Sequence, residues 1–120
     1  MAESIAYEKS KNFSISVIQI YNYLCDTKRE YVMSKQLLRS GTSIGANLAE
    51  SKYAVSKKDF LNKVYIALKE AAETKYWLEI LYETHYLNKN DFDSLVIECI
   101  ELIHILNATT KTIKSQFTSF

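Results

Sequence analysis

Two stretches, QLLRSGTSIGANLAES (residues 36–51) and SKKDFLNKVYIALKEAAETKYWLEIL (56–81), decide the fold of this chain. Both of its glycines, Gly41 and Gly45, fall in the first stretch, and proline is absent. A 120-residue chain with so little turn chemistry favours long helices. In the second stretch Leu61, Val64, Leu68, Ala71, Leu78 and Tyr82 form a heptad-like stripe. Ser56 followed by Asp59 approximates a capping box, with Asp in place of Glu, so the spacing predicts a helix over 57–86. The first stretch predicts a helix over 34–54, with Leu37, Leu38, Ile44 and Leu48 inward and Tyr53 a candidate to join them. Gly41-Thr42-Ser43 places poor helix formers in its middle, which predicts a bend or a tight backbone contact there.

Working outward, Phe13, Val17, Ile20, Tyr21 and Leu24 recur at helical spacing and predict a helix over 5–27, with residues 29–33 as a connection. Asn88-Lys89-Asn90 reads as a turn, with Asn90 as N-cap and Asp91 and Asp93 facing the helix dipole. Phe92, Leu95, Val96, Cys99, Leu102, Ile103 and Leu106 then predict a helix over 91–114, and the final QFTSF is expected to fray. Four amphipathic helices with short connections bury their stripes most simply as an all-α, antiparallel up-down-up-down four-helix bundle, one domain spanning 1–120.

Composition agrees with this class. Apolar residues make up 48% and charged residues 24%, the balance of a soluble globular protein. No apolar run approaches a membrane span, and MAESIAYEKSKNF lacks the order of a signal peptide, so the cytoplasm is the expected location and no membrane partner is expected. Cys25 and Cys99 read as isolated, buried thiols rather than a disulfide or metal pair. The net charge of +1 is unevenly spread: residues 1–69 carry an excess of five positive charges and residues 70–108 an excess of six negative ones.

Ile66, Trp77 and Ile80 lie away from the main stripe of their helix and form a second apolar cluster, which predicts a self-association surface. Ile15, Tyr23, Ile97 and Ile105 also fall outside their stripes.

The segments LLRSGTSIGANLAE (37–50), SKKDFLNKVYIALKEAAET (56–74) and YWLEIL (76–81), in this order and spacing, resemble the family of small proteins encoded by intervening sequences of bacterial 23S ribosomal RNA genes. The resemblance runs from about Tyr7 to Ile113. It implies an antiparallel four-helix bundle that assembles as a ring-shaped homo-oligomer, typically a pentamer. A similar bundle is the accessory protein of diversity-generating retroelements, which works with a reverse transcriptase and RNA. The resemblance therefore implies an RNA-associated, non-enzymatic assembly, with a protein-interaction oligomer as the alternative. This chain lacks the strongly basic character of the retroelement relatives.

Candidate site residues follow from chemistry and position. Lys35, Arg39, Lys52, Lys57, Lys58 and Lys63, with Tyr53 among them, could build a basic face for RNA, against the alternative of a solvated rim. Asn47 and Glu50 on the second helix and Glu70 and Glu73 on the third could form a structural polar network, with Asn47 donating to a carboxylate. Glu101 and His104 make one E-x-x-H pair, but no second copy exists near His85, so no metal and no cofactor are expected. Lys75, set within the apolar stripe, reads as a snorkelling lysine beside Glu79. No phosphate loop, zinc-protease or nucleophile-elbow motif occurs, and the chain is expected not to be an enzyme.

Overall fold

The computed structural model describes residues 2–118, with side chains over 5–117. The last two residues of the QFTSF tail lie outside the described residues, and Gln116–Thr118 are helical rather than frayed. Among the described residues there are four α-helices and no strand: α1 (Ala2–Asp26), α2 (Met33–Ser51), α3 (Lys57–Glu83) and α4 (Lys89–Thr118). Each helix packs on its neighbours in chain order, and α4 closes back onto α1. Named contacts fix the directions. Ser10 meets Gly45 and Val17 meets Gly41 across α1 and α2. Ser40 meets Thr74 and Glu50 meets Lys63 across α2 and α3. Ala71 meets Cys99 and Tyr82 meets Phe92 across α3 and α4. In each pair of helices one number falls as the other rises, so the bundle runs up-down-up-down, 54 × 22 × 21 Å overall.

Phe13, Val17 and Leu24 of α1, Leu37 and Ile44 of α2, and Cys99, Leu102 and Leu106 of α4 are almost wholly removed from water, as their stripes predict. On α3 the buried line is turned from the expected one: Val64, Ala67, Ala71, Thr74, Leu78 and Leu81 face the core, while Leu61, Leu68 and Tyr82 flank it. The turn is possible because the buried Thr74 is satisfied. Its hydroxyl donates to the Glu70 carbonyl at 2.7 Å and stands 2.9 Å from the buried Ser40 hydroxyl of α2. Cys25 and Cys99 are both unbridged. The Cys99 thiol donates to the Ala71 carbonyl at 3.2 Å, and burial pushes its pKa up to about 12, so it acts as a small apolar filler.

Both glycines lie inside α2, which runs unbroken from Met33 to Ser51. Thr42 donates to the Leu38 carbonyl and Ser43 to the Arg39 carbonyl, which keeps both hydroxyls within the helix. What the glycines provide is proximity. A Cβ on Gly41 would stand 2.9 Å from both methyl carbons of Val17, and one on Gly45 would stand 3.2 Å from Ser10 Oγ. The turns then use other residues. Arg29 (φ 55°) and His85 (φ 70°) take the left-handed conformation that glycine commonly supplies.

Several helix ends differ from the expected ones. α3 stops at Glu83 because Tyr86 N–H donates to the Leu81 carbonyl and His85 N–H to the Tyr82 carbonyl, a Schellman motif with His85 at its left-handed position. α2 stops at Ser51, where Tyr53 and Ala54 donate to carbonyls three residues back, and Tyr53 is 85% exposed instead of inward. α4 starts at Lys89 because Asn88, not Asn90, accepts the Asp91 N–H at 2.8 Å. At the start of α3, Ser56 Oγ accepts from Asp59 N–H at 3.0 Å, and the Asp59 carboxylate accepts from Val55 N–H at 3.2 Å, one residue before the cap.

Candidate interaction surface along the α2–α3 seam

On α3, positions 63, 66, 70, 73, 77 and 80 follow one another at steps of three and four, which sets them in one stripe. Contacts place that stripe beside α2. Arg39 reaches across with one guanidinium nitrogen 3.3 Å from each oxygen of Glu70, while its other terminal nitrogen donates to Glu73. Glu73 also accepts the indole N–H of Trp77 at 3.1 Å. Arg39 first, then the indole, hold the Glu73 carboxyl below the usual glutamate range against the opposing effect of burial. Further along, Lys63 pairs with Glu50 at 2.8 Å. The planar fork of arginine suits this double engagement, because it holds two carboxylates without flexing.

This geometry brings together residues that the sequence assigned to three separate roles: Arg39 and Lys63 from the basic set, Glu50, Glu70 and Glu73 from the polar set, and Trp77 from the apolar cluster. Two expectations are corrected by it. Asn47 does not reach a carboxylate; its amide donates to the Ser43 carbonyl of its own helix at 2.8 Å. Arg39, about two helical turns further from the α2–α3 turn and with a longer side chain, takes that bridging place. The six cations also do not form one face. Arg39 and Lys63 are turned to carboxylates, and Lys52 holds its ammonium 3.7 Å above the ring of Tyr7 on α1. Lys35, at the start of α2, is roughly 25 Å along the helix from Lys52 at 1.5 Å per residue. Lys57 and Lys58 are exposed at the α2–α3 turn, with no carboxylate partner among the described residues.

Ile66, Trp77 and Ile80 are half-buried within the single chain, and Trp77 packs on the core, so part of the apolar cluster is already covered. Larger exposures lie elsewhere, among them Ile97 at 64%, Ile15 at 50% and Tyr76 at 53%, the last set edge-on to Trp77 with ring centroids 5.0 Å apart. Tyr23 and Ile105 pack against the core. Lys75 lays its half-exposed stem along α3 and ends 3.3 Å from Glu79. Glu101 pairs with Lys9 of α1 at 2.6 Å. Among the described residues, no three His, Cys, Asp or Glu side chains group to hold a metal ion, and no helix is long and apolar enough to cross a membrane.

One feature of the surface has no apolar stripe to announce it. At the bundle end formed by the α2–α3 turn, a groove of about 890 Å³ opens between the helices. Its signal in the sequence is a cluster of small residues, Ser51, Ala54, Ala108, Thr109 and Thr112, which meet only once the chain has folded.

Known proteins support the same fold. No protein with a curated description matches the chain. The crystal structure of a protein of unknown function from the S23 ribosomal protein family of Bacteroides thetaiotaomicron is similar, with 43% sequence identity and a TM-score of 0.91. The match covers 92% of this chain and 99% of that one. Residues 2–108 match the family described as 23S rRNA-intervening sequence protein, and the chain belongs to that family.

Proposed function

We propose that this chain is a non-enzymatic, self-associating scaffold whose subunits meet along the α2–α3 seam. The observation that carries the reading is the locked array of Arg39, Glu73 and Trp77. Arginine and tryptophan are enriched in protein interfaces, and side chains already held in place lose little entropy on docking. Ile66 and Ile80, at either end of the array, extend the surface with half-exposed apolar area. The resemblance to ring-forming bundles supports a pentamer. Sedimentation equilibrium at micromolar concentration tests this: the reading expects five times the 13.9 kDa chain mass, and Ile66→Lys or Ile80→Glu is expected to release monomers with unchanged helicity. A monomeric native protein would sink it.

RNA association is a second reading, favoured by the α2–α3 turn. There Tyr53 is 85% exposed, and Lys57 and Lys58 pair with no carboxylate among the described residues, an aromatic and two cations suited to unstacked bases and phosphates. A ring would repeat this patch in each subunit and multiply a modest charge. The family membership supports it, and such a role belongs in the cytoplasm. Anisotropy with a labelled RNA hairpin should show binding that weakens with salt and is lost in Lys57→Glu/Lys58→Glu. Unchanged affinity in that variant would remove the turn from the RNA contact.

A further inference from the structure

The groove at the α2–α3 turn is apolar inside and cationic at its mouth. Its walls are Leu48 of α2, Val55 of the turn, Phe60 and Val64 of α3, and Ile105 and Ile113 of α4. Short side chains, Ser51 of α2 and Ala108, Thr109 and Thr112 of α4, leave the space between these helices unfilled. The volume of about 890 Å³ lies within the range of about 300–1,000 Å³ typical of small-molecule sites.

Polar groups in the groove are mostly engaged with their own helices. Ser51 donates to the Leu48 carbonyl, Thr109 to that of Ile105 and Thr112 to that of Ala108. Their protons point along the backbone, so these residues offer the interior few donors. Among the described residues no aspartate or glutamate lines the groove, and the ionised side chains there are Lys52 and Lys57. Lys52 is steadied over the Tyr7 ring, and among the described residues it pairs with no carboxylate.

From this charge complementarity we infer that the groove binds a single-chain amphiphile of the long-chain fatty-acid class. Its aliphatic chain lies among Leu48, Phe60, Val64 and Ile105, and its carboxylate meets Lys52 and Lys57. An acyl chain asks for apolar walls with few donors, and its single carboxylate matches the two cations. This ligand is independent of self-association, and it uses Lys57 in common with the RNA reading.

Calorimetric titration of the full chain with oleate, below the concentration at which oleate forms micelles, tests the inference. Saturable binding of one oleate per chain is expected, with oleyl alcohol much weaker. Lys52→Gln/Lys57→Gln should weaken oleate by about tenfold, as for loss of a well-placed charge contact, and leave the alcohol unchanged. Ala108→Trp, at an exposed position on the groove wall, should abolish oleate binding while helicity, subunit mass and RNA binding persist. If that variant does not fold, Thr109→Phe takes its place. No saturable heat, equal affinity for oleate and the alcohol, or full oleate binding by a folded groove-filled variant would overturn the assignment. Displacement of oleate by an acidic amphipathic peptide at equal concentration would reassign the groove to a protein partner.

Discussion

The β-branched side chain of Val17 occupies the space that a Cβ on Gly41 would need, with both of its methyl carbons 2.9 Å from that point. Val17 is fully buried and stiff about its first side-chain torsion, so it has little freedom to withdraw.

Gly41→Ala is therefore expected to destabilise the protein, although alanine favours an exposed helix over glycine by about 1 kcal/mol. Overpacking costs about 1–3 kcal/mol and wins here. Urea unfolding followed by circular dichroism checks the sign. In the Val17→Ala background the clash is gone, so adding Gly41→Ala should cost less than it does alone.

His85→Gly should act in the opposite direction. His85 holds φ 70° at the end of α3, a conformation that disfavours residues with a Cβ by about 1–2 kcal/mol. Glycine relieves that strain and keeps the two Schellman hydrogen bonds, which are backbone to backbone. A gain of about 0.5–1 kcal/mol in unfolding free energy is expected, reduced from the full strain by the greater freedom of glycine in the unfolded chain.

Glu30 gives the clearest pH dependence. Its nearly buried carboxylate accepts backbone N–H groups from Val32, Met33 and Ser34 at 2.7–3.1 Å and so caps α2 from the preceding turn. Burial alone would raise its pKa, but these donors outweigh burial and lower it. A lowered folded pKa means the stabilisation is complete above the ordinary glutamate value and is lost as pH falls through the folded one. Glu30→Gln should cost about 1–2 kcal/mol at neutral pH, the scale of a lost charged cap. Its deficit relative to the native chain should shrink on acidification.

Trp77 is the only tryptophan, and its indole donates to Glu73, so its fluorescence reports the state of that carboxylate. A fluorescence transition is expected below the usual glutamate range, ahead of any loss of helicity. Arg39→Ala removes the main cause of the lowered pKa and should move the transition to higher pH. An unmoved midpoint would detach Glu73 from Arg39.

The helices were legible because apolar spacing on each is strong, and their order follows from short connections. The turn residues were not. Glycine is the usual residue at left-handed positions, but this chain sets both glycines inside α2 against α1 and uses Arg29 and His85 in the turns. The rotation of α3 was hidden by Ala67 and Thr74, whose burial depends on small size and on the partner Ser40 rather than on hydrophobicity. Along the α2–α3 seam the residues singled out are connected differently from the expectation. Helical spacing says which side chains share a face, whereas reach across to a second helix depends on side-chain length and on the register of two helices, and there Arg39 outreached Asn47.

The order in which the helices pack also shapes how the molecule assembles and opens. Three of the four helix contacts join chain neighbours and close over short turns, so each hairpin can form with little loss of chain entropy. The fourth, α1 against α4, joins distant segments, as Lys9 and Glu101 do across 92 positions, and it is also the least extensive. The bundle thus has a natural parting line. Parting there would leave three hairpin contacts intact, and amide exchange in α1 and α4 should outpace that in α2 and α3.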